Sequence, residues 1–198
     1  MIGRAHGGRG FTLVESVIAM ILIGLVLTRL TIVVNEARRM HSDERLAMAL
    51  EDQAAQVLDQ MAYAVIGADA ETITPGVEAP FSSRELRFRI SLGVEDGQVV
   101  WGEPEEIGLR ADGSQLYWGQ SVGAVEERIV VWCNTVTELL DGELLNGFDD
   151  NENGLADEFG LSFDKSGRCV TIRLTLEEED EKGNNLVVTR ETVVTCRN

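Results

Sequence analysis

The side chains best suited to chemistry lie in one acidic stretch, residues 138–164, which holds nine Asp and Glu residues and no Lys or Arg. Within it, Asp149, Asn151 and Asn153 alternate along the chain and are followed by the turn-forming Gly154. This spacing matches the start of an EF-hand-type loop. Calcium takes six to eight oxygen ligands from flexible loops of this kind. The pattern therefore predicts a calcium site.

The rest of the predicted ligand set follows directly along the chain. The twelfth position of the loop is Gly160, where an EF-hand has Glu, and Glu158 is the nearest substitute. We therefore expect a single structural calcium loop and not a complete EF-hand. Its predicted ligands are Asp149, Asn151, Asn153, the carbonyl of Leu155, Asp157 and Glu158, and Asp141, Asp150 and Glu152 are possible additions. The alternative is a solvated acidic loop, because Asn, Asp and Gly are also preferred turn formers.

The chain has three cysteines, Cys133, Cys169 and Cys196. The last two lie about equally far from the turn of a predicted C-terminal hairpin, so we expect them to face each other. That arrangement allows a disulfide between Cys169 and Cys196. A bridge from Cys133 to either of them is the alternative, and one cysteine then stays unpaired or bonds outside the chain.

Catalytic residues are not evident in the sequence. The chain has two histidines, and a Ser-His-Asp or Cys-His set would have to use His41 if the N-terminal segment with His6 is removed. No nucleophile elbow, phosphate loop or zinc motif accompanies His41. We therefore expect that the protein is not an enzyme.

The elements that position these residues begin with a long apolar segment. Phe11 to Val34 form a run of 24 mostly apolar residues, and about 20 suffice to span a bilayer as a helix. Apolar residues then recur every three or four positions through residues 35–67, which predicts an amphipathic continuation of the same helix. These residues are Leu46, Leu50, Ala54, Val57, Leu58, Met61 and Val65.

Residues 68–198 are predicted to form a β-rich head, because short alternating segments are separated by turn formers. The predicted strands are Glu85–Ile90, Gln98–Trp101, Ile107–Arg110, Gln115–Trp118, Arg128–Cys133, Cys169–Leu176 and Leu186–Cys196. The expected fold class is α+β, with a long N-terminal membrane-spanning helix packed on an antiparallel β-sheet head. The acidic stretch 138–164 is expected to be a loop insertion in this head.

The net charge restricts the classes of partner. The formal net charge is −17, and nearly all of the acidic excess lies after residue 68. Such a surface repels phosphate backbones, so nucleic acid is not an expected partner.

The N-terminal segment resembles a known processing site. Gly10-Phe11-Thr12-Leu13-Val14-Glu15 ends a short basic leader and opens the apolar run. This pattern resembles the prepilin-type site of type IV pilins and type II secretion pseudopilins. The resemblance implies cleavage by prepilin peptidase between Gly10 and Phe11, followed by N-methylation of Phe11. A glutamate inside an apolar segment is costly in lipid. The resemblance implies that Glu15 serves assembly, by pairing with the N-terminal amine of a neighbouring subunit.

A pilin-like fold and a structural role in a filament follow from this resemblance. We expect a subunit of a type IV pilus or type II secretion pseudopilus, stored in the bacterial inner membrane and then assembled with other such subunits. Arg4 and Arg9 favour a cytoplasmic N-terminus, with the head in the periplasm and later at the cell surface. The amphipathic half-helix and the Cys-Arg-Asn ending are similar to those of minor subunits. The alternative is a membrane-anchored, calcium-dependent binding or adhesion protein that does not polymerise.

Overall fold

The computed structural model describes residues 12–111, 113–180 and 182–196, and the predicted processing site at Gly10 and Phe11 lies outside these ranges. Within them the chain forms one α-helix and nine β-strands. They are α1 (Leu13–Ile66), β1 (Glu85–Phe88), β2 (Ser91–Glu95), β3 (Gln98–Trp101), β4 (Glu105–Leu109), β5 (Leu116–Gln120), β6 (Arg128–Cys133), β7 (Leu161–Ser166), β8 (Cys169–Glu179) and β9 (Asn185–Thr195). The chain divides into two compact units, the first ending at Arg45 and the second beginning at Leu46.

In the first unit, the side chains of α1 are exposed on every face from Leu13 to Met40. This helix is long and apolar enough to cross a membrane, and it lies near the N-terminus, where membrane anchors and signal sequences both occur. The hydroxyls of Thr28 and Thr31 donate to the carbonyls of Gly24 and Leu27 at 2.8 and 2.9 Å. The helix backbone thereby satisfies these two hydroxyls, the common arrangement for Thr inside a helix.

In the second unit, α1 buries one stripe of side chains, as its helical spacing predicts. Leu50, Ala54, Val57, Leu58, Met61 and Val65 are buried, whereas Leu46 is half-buried. They share one hydrophobic core with buried residues of β1, β4, β5, β7 and β8, among them Phe88, Ile107 and Ile172. The guanidinium of Arg190 on β9 also donates to Glu51 on α1 at 2.8 Å. Burial of the apolar stripe is therefore what fixes this part of the helix.

Every strand pairing in the second unit is antiparallel. The strand orders are β1-β4-β5-β6 in a four-stranded sheet, β7-β8-β9 in a three-stranded sheet, and β2-β3 in a hairpin. The α+β layout, with a long apolar N-terminal helix and antiparallel sheets, is confirmed. Two strands were not predicted: β2, and β7, which takes up the end of the stretch expected to be loop.

Two neighbouring acids on β4, Glu105 and Glu106, are buried, and Glu is rarely buried unless it is paired. Glu106 accepts hydrogen bonds from Arg87 and from the hydroxyl of Tyr117. Glu105 accepts a hydrogen bond from Nε1 of Trp118 at 2.9 Å. Burial raises the pKa of Glu105, and the bond from Trp118 opposes that shift. Glu106 has a cationic hydrogen-bond partner, Arg87, whereas the described partner of Glu105 is the neutral indole of Trp118.

The raised pKa of Glu105 predicts a dependence of stability on pH. The pKa of this carboxyl is higher in the folded state than in the unfolded chain, where it is 4.5. The free energy of unfolding therefore falls as the pH rises above 4.5, and it stops falling once the pH has passed the folded-state pKa. Glu105→Gln keeps an acceptor for Trp118 and removes the charge. The variant should match the wild type in acid and be more stable at neutral pH. Urea unfolding followed by tryptophan fluorescence from about pH 4 to about pH 8 measures this difference. A variant less stable at neutral pH would contradict it.

Candidate cation site in the acidic loop

The acidic loop connects β6 to β7, and its two ends are pinned to each other and to β8. Leu139 bridges Phe159, and Val136 bridges Leu176 on β8. The amide of Thr137 donates to the carbonyl of Thr175 at 3.1 Å, and the amide of Thr175 donates to the carbonyl of Gly160 at 2.7 Å. Residues 136–139 and 159–160, which we call the base of the loop, are therefore held together. The loop ends at Gly160, because β7 begins at Leu161.

Gly160, the twelfth position of the EF-hand-type pattern, lies against the chain at this base. A Cβ atom added there would be 2.2 Å from the carbonyl oxygen of Thr137 and 2.3 Å from its hydroxyl oxygen. No side chain fits in that space. The requirement for close backbone packing thus explains why this position cannot supply the usual Glu ligand.

Asp157 closes the inner part of the loop. Its Oδ1 accepts hydrogen bonds from the amides of Asn146 and Gly147 at 2.7 and 2.8 Å. Its backbone is in the left-handed region, with φ of 52°. Asn146 in turn donates through its side chain to Asp150 at 2.7 Å. One oxygen of the predicted ligand Asp157 is therefore engaged in holding the two ends of the segment together.

The three alternating predicted ligands are brought together in tight turns. Asp149 accepts the amides of Asn153 and Gly154 on separate oxygens, at 3.0 and 2.7 Å. Asn151 also accepts the amide of Asn153, at 3.1 Å, and Asn153 accepts the amide of Leu155, at 2.9 Å. The bonds accepted by Asn151 and Asn153 are those of Asx turns, in which a side-chain oxygen accepts the amide two residues farther along the chain. Alanine at Asp149 would remove turn bonds whether or not a cation is bound, so calcium binding is better tested at another residue.

Two glutamates beside this segment are buried. Glu158 is fully buried, and both of its carboxylate oxygens accept from the side-chain nitrogen of Asn153 at 3.0 Å. Burial raises the pKa of Glu158; Asn153 and Arg173 oppose the shift, and the charges of Glu143 and Asp149 add to it. The predicted ligand Glu158 therefore lies close to other carboxylates and away from solvent.

Glu143 is the second buried glutamate, and it lies outside the ligand set predicted from the sequence. It is 5 % exposed, and its Oε1 accepts the amide of Asn151 at 3.1 Å. Its Oε2 is buried and has no hydrogen-bond partner in the described part of the chain. The EF-hand-type pattern begins at Asp149 and has no position six residues earlier. Only the fold of the loop brings Glu143 to this segment.

Within the described ranges, no three His, Cys, Asp or Glu side chains are gathered closely enough to hold a metal ion by themselves. A calcium loop takes part of its ligands from amide and carbonyl oxygens. The calcium site therefore stays a prediction. Leu155, predicted to supply a carbonyl, has a buried side chain.

The cysteine register differs from the expected one by one residue. Cys169 pairs with Thr195, and the amide of Cys196 donates to the carbonyl of Arg168 at 2.9 Å. Because Glu179 pairs with Asn185, the midpoint of the hairpin lies at residue 182, half a residue before the position that would place Cys169 opposite Cys196. All three cysteines are free thiols, and burial raises the pKa of Cys133 to about 11. The expectation that Cys169 and Cys196 lie directly opposite is corrected, and the disulfide itself stays a prediction.

Glu15 lies in the first turn of α1, where its amide donates to the hydroxyl of Thr12 at 3.3 Å. The carbonyl of Thr12 accepts the amide of Ser16 at 3.1 Å, as at the start of a helix. Thr-x-x-Glu is the pattern of a capping box. This second role for the Thr12–Glu15 pair was not foreseen, although the spacing is visible in the sequence. His41, farther along the helix, is exposed and 3.9 Å from Glu44.

No family model, curated protein or solved structure matches this chain. Its function is therefore inferred from its own residues and their arrangement.

Proposed function

We propose that this protein is a non-enzymatic structural subunit, of the minor kind, of a type IV pilus or a type II secretion pseudopilus. The observation that supports the proposal most is the change in character along α1. Its residues up to Val34 are mostly apolar and are exposed on every face, whereas its residues after Leu46 bury a single stripe in a β-rich core. A helix that is apolar all round needs lipid or other helices as its surrounding. A filament subunit has both surroundings, lipid before assembly and the helices of other subunits after it.

The position of the one acid in the apolar segment is the second support. Glu15 is the only charged residue from Thr12 to Thr28, and the next acid is Glu36. A carboxylate in lipid or in a helix bundle is costly alone and favourable beside a cation. The N-terminal amine created by cleavage after Gly10 is such a cation, and in a filament a neighbouring subunit supplies it.

The proposed route starts in the bacterial inner membrane. The basic leader with Arg4 and Arg9 stays in the cytoplasm, prepilin peptidase removes it, and the acidic head faces the periplasm. Assembly then replaces lipid around the apolar half of α1 with the same half of other subunits. The head carries the acidic surface outward to the filament surface.

One observation favours the second candidate function, a membrane-anchored, calcium-dependent binding or adhesion protein that does not polymerise. Three large apolar side chains of the acidic loop, Leu144, Leu145 and Phe148, are 62 to 71 % exposed. Exposed apolar side chains grouped in this way often mark a contact surface. A filament subunit can also carry such a surface, so the two candidates differ in assembly and not in the loop.

The experiment that separates them is fractionation of sheared filaments from cells with a complete assembly machine. A filament subunit is recovered with the sheared filaments, and it is lost from them when prepilin peptidase is deleted. A protein that stays entirely in the membrane fraction in both strains would contradict the filament proposal and favour the anchored binding protein.

A further inference from the structure

We propose that the second unit binds a primary alkylammonium group, the chemistry of a Lys side chain or of a free aliphatic amine, in a cavity whose inner end is the carboxylate of Glu105. The cavity involves neither the apolar half of α1 nor the acidic loop between β6 and β7. The proposal is therefore independent of filament assembly and of calcium binding.

The cavity lies where the β2–β3 hairpin meets the start of β4, the end of β5 and the start of β6. Its volume is about 340 Å³, which is within the range of small-ligand sites. Glu105 is the one buried residue of its lining, and the others are half-buried or exposed. The carboxylate of Glu105 is therefore the innermost charged group that a ligand entering the cavity would meet.

Glu105 has one oxygen available for a ligand. The residue is 7 % exposed, and its Oε2 accepts a hydrogen bond from Nε1 of Trp118 at 2.9 Å. Its Oε1 accepts no hydrogen bond from the described part of the chain. The bond from Trp118 fixes the carboxylate in place, so Oε1 is held ready at the inner end of the cavity.

The charge of Glu105 also lacks a cation, in contrast to that of its neighbour Glu106, which is paired with Arg87. Arg128 lines the same cavity, but it is exposed, and the pKa of Glu105 responds to burial and to Trp118, not to Arg128. A buried carboxylate without a cation is costly. A cation bound at Oε1 offsets this cost, so binding of a cation is favoured over binding of a neutral group.

An ammonium group suits this carboxylate better than a guanidinium group does. A guanidinium binds a carboxylate best through two parallel hydrogen bonds, and Trp118 already occupies one of the two oxygens. An ammonium group is a point charge that needs a single oxygen. Ile90 and Leu92 supply apolar surface to the cavity, and Leu92 is 67 % exposed. The methylene groups of an alkylammonium would cover that surface while its charged end meets Glu105.

The outer part of the lining adds attraction for a cation. Glu103 and Glu126 are both exposed there, so the cavity has more carboxylates than cationic groups. Exposed charges of this kind mainly speed the approach of a ligand and are screened by salt. The affinity itself is therefore expected to depend on Glu105.

Titration of the full-length protein in nonionic detergent, followed by NMR, tests the site. The probes are n-butylammonium and N-acetyl-lysine methylamide, used at about pH 8, which favours an ionised carboxylate and leaves an alkylammonium protonated. The signal is the indole N–H resonance of Trp118, identified by its loss in Trp118→Phe. This resonance should shift and saturate with n-butylammonium. An equal response to the lysine derivative indicates a Lys side chain of a partner protein as the ligand, and a response to n-butylammonium alone indicates a free amine.

Two variants show whether Glu105 is responsible for binding. Glu105→Gln keeps an acceptor for Trp118 and should weaken binding about tenfold or more, because it replaces a charged hydrogen bond by a neutral one. Glu95→Gln loses the same charge from an exposed position on β2 outside the cavity, and its affinity should stay within about twofold of the wild type.

Unfolding is not an alternative explanation for the loss of binding, because Glu105→Gln is expected to be at least as stable as the wild type at neutral pH. The proposal is overturned if the wild type shows no saturable shift, or if Glu105→Gln binds as tightly as the wild type. Equal losses in Glu105→Gln and Glu95→Gln would also overturn it, since they would indicate only a diffuse attraction to the acidic surface.

Discussion

Glu15→Val should leave peptidase cleavage and membrane insertion intact and remove the subunit from filaments. The carboxylate is proposed to neutralise the N-terminal amine of a neighbouring subunit inside the helix bundle. Removing one partner of a buried ion pair leaves an uncompensated charge and costs about 3 kcal/mol or more. Since about 1.4 kcal/mol is a factor of ten, recovery in sheared filaments should fall well over tenfold at unchanged membrane level. Quantitative immunoblotting of both fractions measures it.

The contact between Thr12 and Glu15 requires controls, because a capping box would also make Glu15 important. Glu15→Gln preserves the capping pattern and removes the charge, whereas Thr12→Val removes the cap and preserves the charge. Loss of a cap costs only about 1 kcal/mol. If the ion pair is the role, Gln should fail as Val does, and Thr12→Val should assemble. Normal assembly of Glu15→Gln would contradict the proposed role and leave helix capping as the explanation.

Gly160→Ala should strongly destabilise the second unit. The added methyl group would lie 2.2 Å from a backbone oxygen of Thr137, in a part of the loop that is hydrogen-bonded on both sides to the base. Backbone cannot move aside as a flexible side chain can, so the pairing of Leu139 with Phe159 must be disturbed. Overpacking of this kind costs roughly 3 kcal/mol. Urea unfolding of the full-length protein measures the loss.

Gly76→Ala is the matched control for this prediction. A Cβ atom at Gly76 would be 3.8 Å from the carbonyl oxygen of Ile73, which is an ordinary contact. Gly76 is exposed and should tolerate the change within about 0.5 kcal/mol. A variant Gly160→Ala as stable as Gly76→Ala would mean that the loop base is not packed as described.

The elements that were predicted well depend on local periodicity. The three- and four-residue spacing of Leu50, Ala54 and Met61 sets which side of a helix is apolar, so the buried stripe follows from sequence. Strand β2 was missed because it contains Gly93 and exposes its apolar residues. Strand β7 was missed because its apolar residues, Leu161 and Phe163, lie at the end of an acidic stretch and flank a buried Ser162.

The parts of the candidate site that the sequence did not reveal depend on long-range contacts. Burial of Glu143 requires the loop to fold back so that this residue meets Asn151 eight positions later. The residue that lies opposite Cys169 depends on the length of the connection between β8 and β9. One residue more or less in that connection would shift every cross-strand pair of the hairpin. The alternating Asp149, Asn151 and Asn153 could be read from spacing, because their neighbours in the chain are also their neighbours in space.

The most direct test of the central proposal is the mass of the intact protein and of its N-terminal peptide after expression with a native prepilin peptidase. The proposal predicts a mature chain that begins at N-methylated Phe11. A chain that keeps residues 1–10 in the presence of an active peptidase would contradict the pilin-like pathway, and the anchored binding protein would then be the better account.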